Sequence, residues 1–533
     1  MRQANTLSAA DILERLPHRV HEVIGHHLTE RPHHPAFVER GRVWSYREFA
    51  DAVDALATEL VELHVRPGDR LLIASENCVA VAALVFACSR CDAWAIVANP
   101  RLVPRELDQI YHHSGARRIL LTTSISKEAA DHAVRLGSMR RQIGPFTEIA
   151  VGALNDTAQP EPVEQAPDLQ VAALMYTSGT TGQPKGVMLS HRNVLFAAST
   201  SVQLGGTVPG DRIYAVLPMS HIVGFSILLV ATMMAGATAH LAAKYDPAAL
   251  ARALAEDGIT HLFGVPAIYQ RLLAFKAVND IGRLGRGRLR RMLVAGAPLD
   301  LTLKARVEEE FGLPLLNNYG ITECSPGLTG VRESAPRRDG SVGPFLPGIE
   351  FRLLDRNRQC VPDGEVGELH VRGPNVMLGY YRAPDLTAQA IDADRWFNTG
   401  DLARLDGDHL FIAGRSKELI IRSGFNVYPA EVEAVLNSHK MVVQSAVIGR
   451  AVPGNEEVVA FVQLLPGASI AVDDLMEYAG RHLTSYKRPC EIVLLNALPA
   501  ASTGKILKHK LWEAARSTVR RGPPVATLQI RSA

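Results

Sequence analysis

The run "MYTSGTTGQPKGVMLSH", Met175 to His191, contains a segment, Tyr176 to Gly186, with three glycines, four serine or threonine hydroxyls, one proline and a single charge, Lys185. Backbone N–H groups exposed by glycine, together with hydroxyl donors, can surround phosphate oxygens while a lysine offsets their charge, so this composition suits a polyphosphate. The spacing is not that of G-x-x-x-x-G-K-[ST], because Lys185 is followed by a glycine. On composition alone, a plain surface loop stays open. Other chemistry-bearing residues stand singly: Glu323 in "NNYGITE", Asp401 in "NTGDLARLD", Arg415 in "GRSKELIIRSGFNVYPAEVE" and Lys505 in "STGKILKHKL". Taken alone, either acid also reads as a solvated turn residue.

The elements that must position these residues alternate. "DRLLIASEN" leads into the apolar run from Val79, "RRILLTT" into "SKEAADHAVRLG", "THLFGVP" into "AIYQRLLAF", and "RRMLVAGAP" into "LTLKARVEEEF". Short apolar strands feeding amphipathic helices predict mostly parallel α/β sheets, two of them within the first four hundred residues. Past Val342 the pattern becomes short strands between turns, with Asp-Gly pairs at Asp363-Gly364 and Asp406-Gly407, which predicts an antiparallel, β-barrel-like subdomain. After Arg415 the order helix, strand, strand, helix, strand predicts a small α+β domain. The expected division is a large domain over 1–416 and a small one over 417–533.

The formal charge of +2 and the charged fraction of 21% give no strong whole-protein field, which argues for neither nucleic acid nor a membrane surface as partner. The basic run "RLGRGRLRR", Arg283 to Arg291, has no interleaved aromatics and reads as a solvated helix entrance. Six scattered cysteines form no disulfide framework, and the Cys88–Cys91 pair lies in an apolar run, which predicts packed thiols in a reducing compartment. The N-terminal residues lack the apolar segment of a signal peptide, so the cytoplasm is the expected location. The uncharged stretch Ile222 to Ala239 has glycines, threonines and no basic flank, and reads as a buried core helix and not a membrane span.

The block "YTSGTTGQPKG" resembles the phosphate-binding signature of the adenylate-forming superfamily, which includes acyl-CoA synthetases, amino-acid adenylation domains and firefly luciferase. "NNYGITE", "NTGDLARLD", "GRSKELIIRSGFNVYPAEVE" and "STGKILKHKL" follow in that family's order and cover nearly the whole chain. The resemblance is closest in type to bacterial acyl- or aryl-CoA ligases. It implies that Thr177, Ser178, Gly179, Thr180, Thr181, Gly182 and Lys185 bind ATP phosphates, that Tyr319 lies beside the adenine, Thr322 on the phosphate and Glu323 on Mg²⁺. It also implies that Asp401 grips the ribose hydroxyls, that Arg415 reaches the nucleotide, that Lys417 is the hinge, and that Lys505 enters the site from a mobile small domain during adenylation.

By the same resemblance, the small domain rotates to exchange Lys505 for the loop around Gly424, which lines a channel for the thiol of coenzyme A. Arg488 in "SYKRP", and Arg90, are the candidate contacts to the CoA phosphates. The acid pocket is expected at "PMSHIVGF" and "AGAPL", with His221 as a gating or carboxylate-side residue and Phe225, Gly296, Ala297 and Gly320 as walls. Read alone, His221 is also a plain capped core histidine. No Asp stands at the start of that segment to meet an α-ammonium group, so an unaminated acid is expected: aryl, or a medium or longer alkyl chain.

The expected reaction is ATP-, Mg²⁺- and CoA-dependent ligation of a carboxylic acid through an acyl-adenylate, releasing AMP and pyrophosphate. Loading of a carrier protein and an inactive nucleotide sensor are the alternatives. The stretch before Lys505 reads "LPAASTGK", without the additional basic residue common in relatives, and its proline-to-Gly-Lys spacing resembles a lysine acetyltransferase site. A homodimer stays open.

Overall fold

The computed structural model describes residues 8–178, 184–423, 425–453, 455–465, 467–500 and 506–511. Two eight-stranded sheets carry the large unit. The first runs, edge to edge, Gly327–Gly330, Leu315–Gly320, Arg291–Val294, His261–Gly264, Arg212–Ala215, Thr238–Leu241, Pro35–Glu39 and Arg42–Ser45. Its inner strands are parallel and its two edge pairs antiparallel. The second runs Gly379–Tyr380, Pro184–Ser190, Val171–Ser178, Trp94–Ala98, Arg70–Ala74, Arg118–Thr122, Phe146–Val151 and Met139–Ile143. Its middle strands Arg70–Ala74 and Trp94–Ala98 are buried along their whole length, as strands covered on both faces must be.

The helix Val79–Arg90 is apolar on every side and buried over Val79 to Ser89. A helix of that composition is stable only inside a core. Just before it, the Asn77 amide donates to the Ala215 and Leu217 carbonyls at 3.1 and 3.0 Å and accepts from the Met219 N–H at 2.8 Å. Those bonds tie the start of the helix to the strand Arg212–Ala215 of the first sheet. Cys88 is fully buried, its thiol pushed well above the usual range by burial, and the Cys91 thiol donates to the Ala57 carbonyl at 3.6 Å. The pair packs as free thiols, as expected.

The apolar stretch from Ile222 winds as a π-helix over Val223–Ala231, continues through Thr232–Met234, and lies in the core. No helix among the described residues is long and apolar enough to cross a membrane. Gly224 is required here, since a Cβ at that position would stand 2.0 Å from the Pro218 carbonyl oxygen.

Two sequence expectations need correction. Glu350–Leu354, Gly367–Arg372, Phe397–Asp406 and His409–Arg415 form an open antiparallel sheet of four strands, not a barrel. Four strands are too few to enclose a packed interior, and the intervening strand Gly379–Tyr380 leaves to pair with Pro184–Ser190 of the large sheet. The arginine run from Arg283 is not a solvated helix entrance, because it leads into the strand Arg291–Val294. Arg283 and Arg286 donate to the Glu310 and Phe311 carbonyls, Arg290 pairs with Asp211, and Arg291 is 3% exposed.

The C-terminal elements follow the expected order: Pro429–Asn437, Val442–Val452, Asn455–Leu464, Val472–His482 and Glu491–Leu495. The two helices close over a three-stranded sheet around their own apolar cluster, with Val432, Leu436, Val447, Val458, Val462 and Leu475 at its centre.

Candidate functional site

The strands Val171–Ser178 and Pro184–Ser190 pair antiparallel on either side of the glycine-rich loop, with Tyr176 opposite Gly186 and Thr177 opposite Lys185. Gly179, Thr180, Thr181 and Gly182 lie outside the described residues, as does the Ser178 side chain. Lys185 extends over the ring of Tyr380, its Nζ 5.0 Å from the ring centroid. That is a cation–π distance. Gly186 is packed between rings: a Cβ would stand 3.3 Å from Tyr176 and 3.4 Å from Tyr381, while its carbonyl accepts from the Tyr381 N–H at 2.8 Å.

In open α/β sheets, ligands bind in the crevice beyond the carboxyl ends of the strands. Two neighbouring parallel strands end together here, at Gly264 and Val294, and the next, Leu315–Gly320, runs on three residues past Asn317, the partner of Val294. The last carries Tyr319 and runs into the short turn Thr322–Cys324. Gly320 permits that turn, since a Cβ would approach the Pro326 carbonyl oxygen to 2.2 Å. The Tyr319 hydroxyl donates to Asp401 Oδ2 at 2.5 Å, and Arg415 Nε meets Asp401 Oδ1 at 2.9 Å. Strand register supplies the second contact, because Asp401 and Arg415 are directly opposed in the antiparallel sheet. Asp401 is 3% exposed, and burial followed by its carboxylate pushes the Tyr319 phenol well above its usual range. A carboxylate has about four acceptor sites, the chemistry that suits a diol.

Glu323 is held from a different direction. The Tyr380 hydroxyl donates to Glu323 Oε1 at 3.0 Å, and the Glu323 carbonyl accepts from the Met377 N–H at 2.8 Å. A cavity of about 740 Å³ opens on the Lys185 side of Tyr380, with Arg105, His112, His113 and Tyr381 along its walls. His113 Nδ1 and the Tyr176 hydroxyl are hydrogen bonded at 2.8 Å. Among the described residues the Glu323 carboxylate has one hydrogen-bond partner, Tyr380, and a carboxylate oxygen fits Mg²⁺ chemically.

The expected acid-pocket residues lie on segments that follow two strands of the first sheet, His221 and Phe225 after Arg212–Ala215 and Gly296 and Ala297 after Arg291–Val294. His221 starts the buried helix, its carbonyl accepting from the Phe225 N–H at 2.9 Å. Phe225 is 1% exposed, and Gly296, at φ +83°, and Ala297 follow the strand Arg291–Val294. None of these four lines the 740 Å³ cavity.

The CoA-side residues are not gathered with the others. Arg488 Nε donates to the Leu483 carbonyl at 2.9 Å, and its own carbonyl accepts from Arg422 at 2.7 Å. Arg90 pairs with Asp54 at 3.2 Å on the helical surface. Lys417 is exposed, and Lys505 and Gly424 lie outside the described residues. Sequence reasoning missed two residues. One is Tyr380, whose only local signal is a tyrosine pair after a glycine. The other is Lys508, whose Nζ pairs with Glu418 at 2.8 Å and Glu433 at 2.9 Å, beside Lys417.

The family described as AMP-binding enzyme matches residues 25–381, and its C-terminal domain matches residues 431–505. The chain is 34% identical over 484 residues to a feruloyl-CoA synthase of an Amycolatopsis species, spanning 90% of this chain and 96% of that protein. It is 30% identical over 539 residues to a long-chain-fatty-acid–CoA ligase of Salmonella typhimurium, spanning 93% and 95%. Among solved structures, ATP-bound MatB from Rhodopseudomonas palustris superposes with a TM-score of 0.82 at 30% identity, covering 95% of this chain and 99% of that one.

Proposed function

The chain belongs to the AMP-binding enzymes, and from that premise we propose that it is an AMP-forming acid–thiol ligase that activates a carboxylic acid with ATP and passes the acyl group to coenzyme A. The observation that carries this reading is the convergence of Tyr319, Asp401 and Arg415, by two hydrogen-bonded contacts, at the same strand end as Glu323. In the first half-reaction the acid attacks the α-phosphate and pyrophosphate leaves; in the second the thiol displaces AMP from the acyl-adenylate. Asp401 accepts from the ribose hydroxyls, Tyr319 flanks the adenine, and Arg415 offsets the charge of both Asp401 and the nucleotide. The glycine-rich loop and Lys185 hold the phosphates, with Thr322 beside them. Glu323 would hold Mg²⁺, which supplies charge neutralisation at the phosphate oxygens.

Lys505 stabilises the charge developing at the α-phosphate. The small domain turns about Lys417 between half-reactions, exchanging Lys505 for the Gly424 loop, with Arg488 toward CoA. Such a rotation shields the acyl-adenylate from water. The acid is unaminated, aryl or a longer alkyl chain, and sits among His221, Phe225, Gly296, Ala297 and Gly320. The buried apolar helix bearing Phe225 supports that choice, as do relatives named for feruloyl and long-chain fatty acyl groups. The enzyme acts in the cytoplasm, and acetylation of Lys505 by a lysine acetyltransferase would silence adenylation by removing its charge.

AMP formation with ATP, Mg²⁺ and CoA across a panel of aryl and alkanoic acids tests this reading. One acid class giving CoA-dependent AMP supports it. Nucleotide binding without turnover on any acid would sink it and leave a sensor or carrier-loading role.

A further inference from the structure

Glu323 and Lys185 carry opposite charges and approach the same side chain. Tyr380, 8% exposed, donates its hydroxyl to Glu323 Oε1 at 3.0 Å and presents its ring face to the Lys185 ammonium at 5.0 Å from the centroid. Among the described residues neither charge is in an ion pair with a protein side chain. The two opposite charges thus meet the same tyrosine at different atoms, one at the hydroxyl and one at the ring face.

The backbone around Tyr380 is sewn to both partners. The Met377 N–H donates to the Glu323 carbonyl at 2.8 Å, Leu378 to Met188 at 3.0 Å, and Tyr381 to Gly186 at 2.8 Å, next to Lys185. Tyr380 is opposite Val187 in the strand pairing, and its own N–H donates to Thr387 Oγ1 at 2.9 Å. Gly379 makes that last contact sterically feasible, since a Cβ there would stand 2.6 Å from the Thr387 side chain. On the far side, the Tyr381 hydroxyl donates to Glu161 Oε1 at 2.5 Å. A side chain fixed this firmly at its backbone holds its hydroxyl and ring face in one place.

We propose that Tyr380 is a positioning residue for adenylation: its hydroxyl orients the Glu323 carboxylate toward the metal-bound polyphosphate while its ring holds Lys185 apart from that carboxylate. This rests on the role given to Glu323 above. The hydroxyl occupies one acceptor site on Oε1 and leaves the remaining sites of the carboxylate for a divalent cation. Residues that orient a metal-binding carboxylate by a hydrogen bond typically contribute about 10–100-fold in metal affinity or activity.

The test compares wild type, Y380F and E323Q by calorimetric titration of ATP over a series of Mg²⁺ concentrations, with titration of AMP as the internal control. AMP lacks the pyrophosphate that the cation bridges, so its affinity reports the folded nucleotide site alone. Y380F, which keeps the ring, is expected to need about tenfold more Mg²⁺ for the same ATP affinity, with AMP affinity within about twofold of wild type. The Mg²⁺ concentration for half-maximal AMP formation is expected to move by the same factor. Y380L, which also removes the ring, is expected to weaken ATP binding further than Y380F at saturating Mg²⁺.

A Y380F protein with wild-type Mg²⁺ dependence overturns the inference, as does one that loses AMP and ATP affinity equally, which would mark a purely structural tyrosine. E323Q separates the two levels of the reading. If E323Q loses Mg²⁺ dependence and Y380F does not, only the role of Tyr380 falls. If E323Q itself binds MgATP like wild type, the assignment of Glu323 falls and takes the inference with it.

Discussion

The two halves of the site are built on different principles. On the large-domain side, strand register opposes Asp401 to Arg415, Tyr319 reaches the same carboxylate from another sheet, and that carboxylate is almost fully buried. On the small-domain side, Arg488 is tied to a local carbonyl, and Lys508 reaches back to Glu418 and Glu433 near the proposed hinge. A site that serves two reactions with different charge distributions needs a part that stays and a part that is replaced. Sheet pairing around a buried carboxylate suits the first, and contacts local to short elements suit the second.

The sharpest way to break this comparison is Lys505→Ala. Adenylation, read as ATP–pyrophosphate exchange, should fall by about a hundred- to thousandfold, while CoA transfer from a pre-formed acyl-adenylate should stay within a few-fold. Equal losses in both half-reactions would mean that the small-domain lysine is not specific to the first. Acid should unpick the prebuilt half. Burial depresses His191 to about 3 and His240 to about 4, so both are neutral when folded but bind protons at pH below about 6.5 when unfolded. The unfolded state then carries more protons, and stability must rise with pH between about 4 and 6.5 and level off above. His240→Gln should flatten that slope by on the order of 3 kcal/mol over the window, measured by urea unfolding from pH 4.5 to 7.5.

Asp401→Asn keeps the shape but removes the charge shared by Arg415 and Tyr319. AMP affinity should weaken by roughly tenfold or more, as for a charge-assisted hydrogen bond replaced by a neutral one. Arg488→Ala should raise the KM for CoA by about tenfold without changing ATP–pyrophosphate exchange. Arg90→Ala, already paired with Asp54, should change neither; a larger effect from Arg90 would reverse the assignment. Lys508→Ala should act mainly on the stability of the small domain. Its pairs with Glu418 and Glu433 are largely shielded from water, so the variant should lose on the order of 3 kcal/mol against urea while AMP binding stays constant.

The chemistry-bearing blocks were legible because each is local. A glycine-rich segment between two paired strands, a turn after a parallel strand and a Thr-Gly-Asp step within a β-strand each need particular residues at short spacing, and the polar types cannot be moved without losing the function. The alternation of strands and helices was legible for the same reason, since periodicity is a property of consecutive residues. The central apolar helix from Val79 could be read as buried because it has no polar face to give to water.

What the sequence determined by itself was therefore the family of elements, the order of the blocks and the types of residue at the site. Only the tertiary structure decided which of those residues meet. Tyr319 and Asp401 are 82 residues apart, and Glu323 and Tyr380 are 57 apart, so no local pattern announces either contact. The open sheet in place of a barrel was decided when Gly379–Tyr380 paired with the glycine-loop strand. The arginine run became structural when the carbonyls of Glu310 and Phe311 and the carboxylate of Asp211 came within reach. In each case the deciding partner is distant along the chain, and hydrogen bonding and burial act on distance in space.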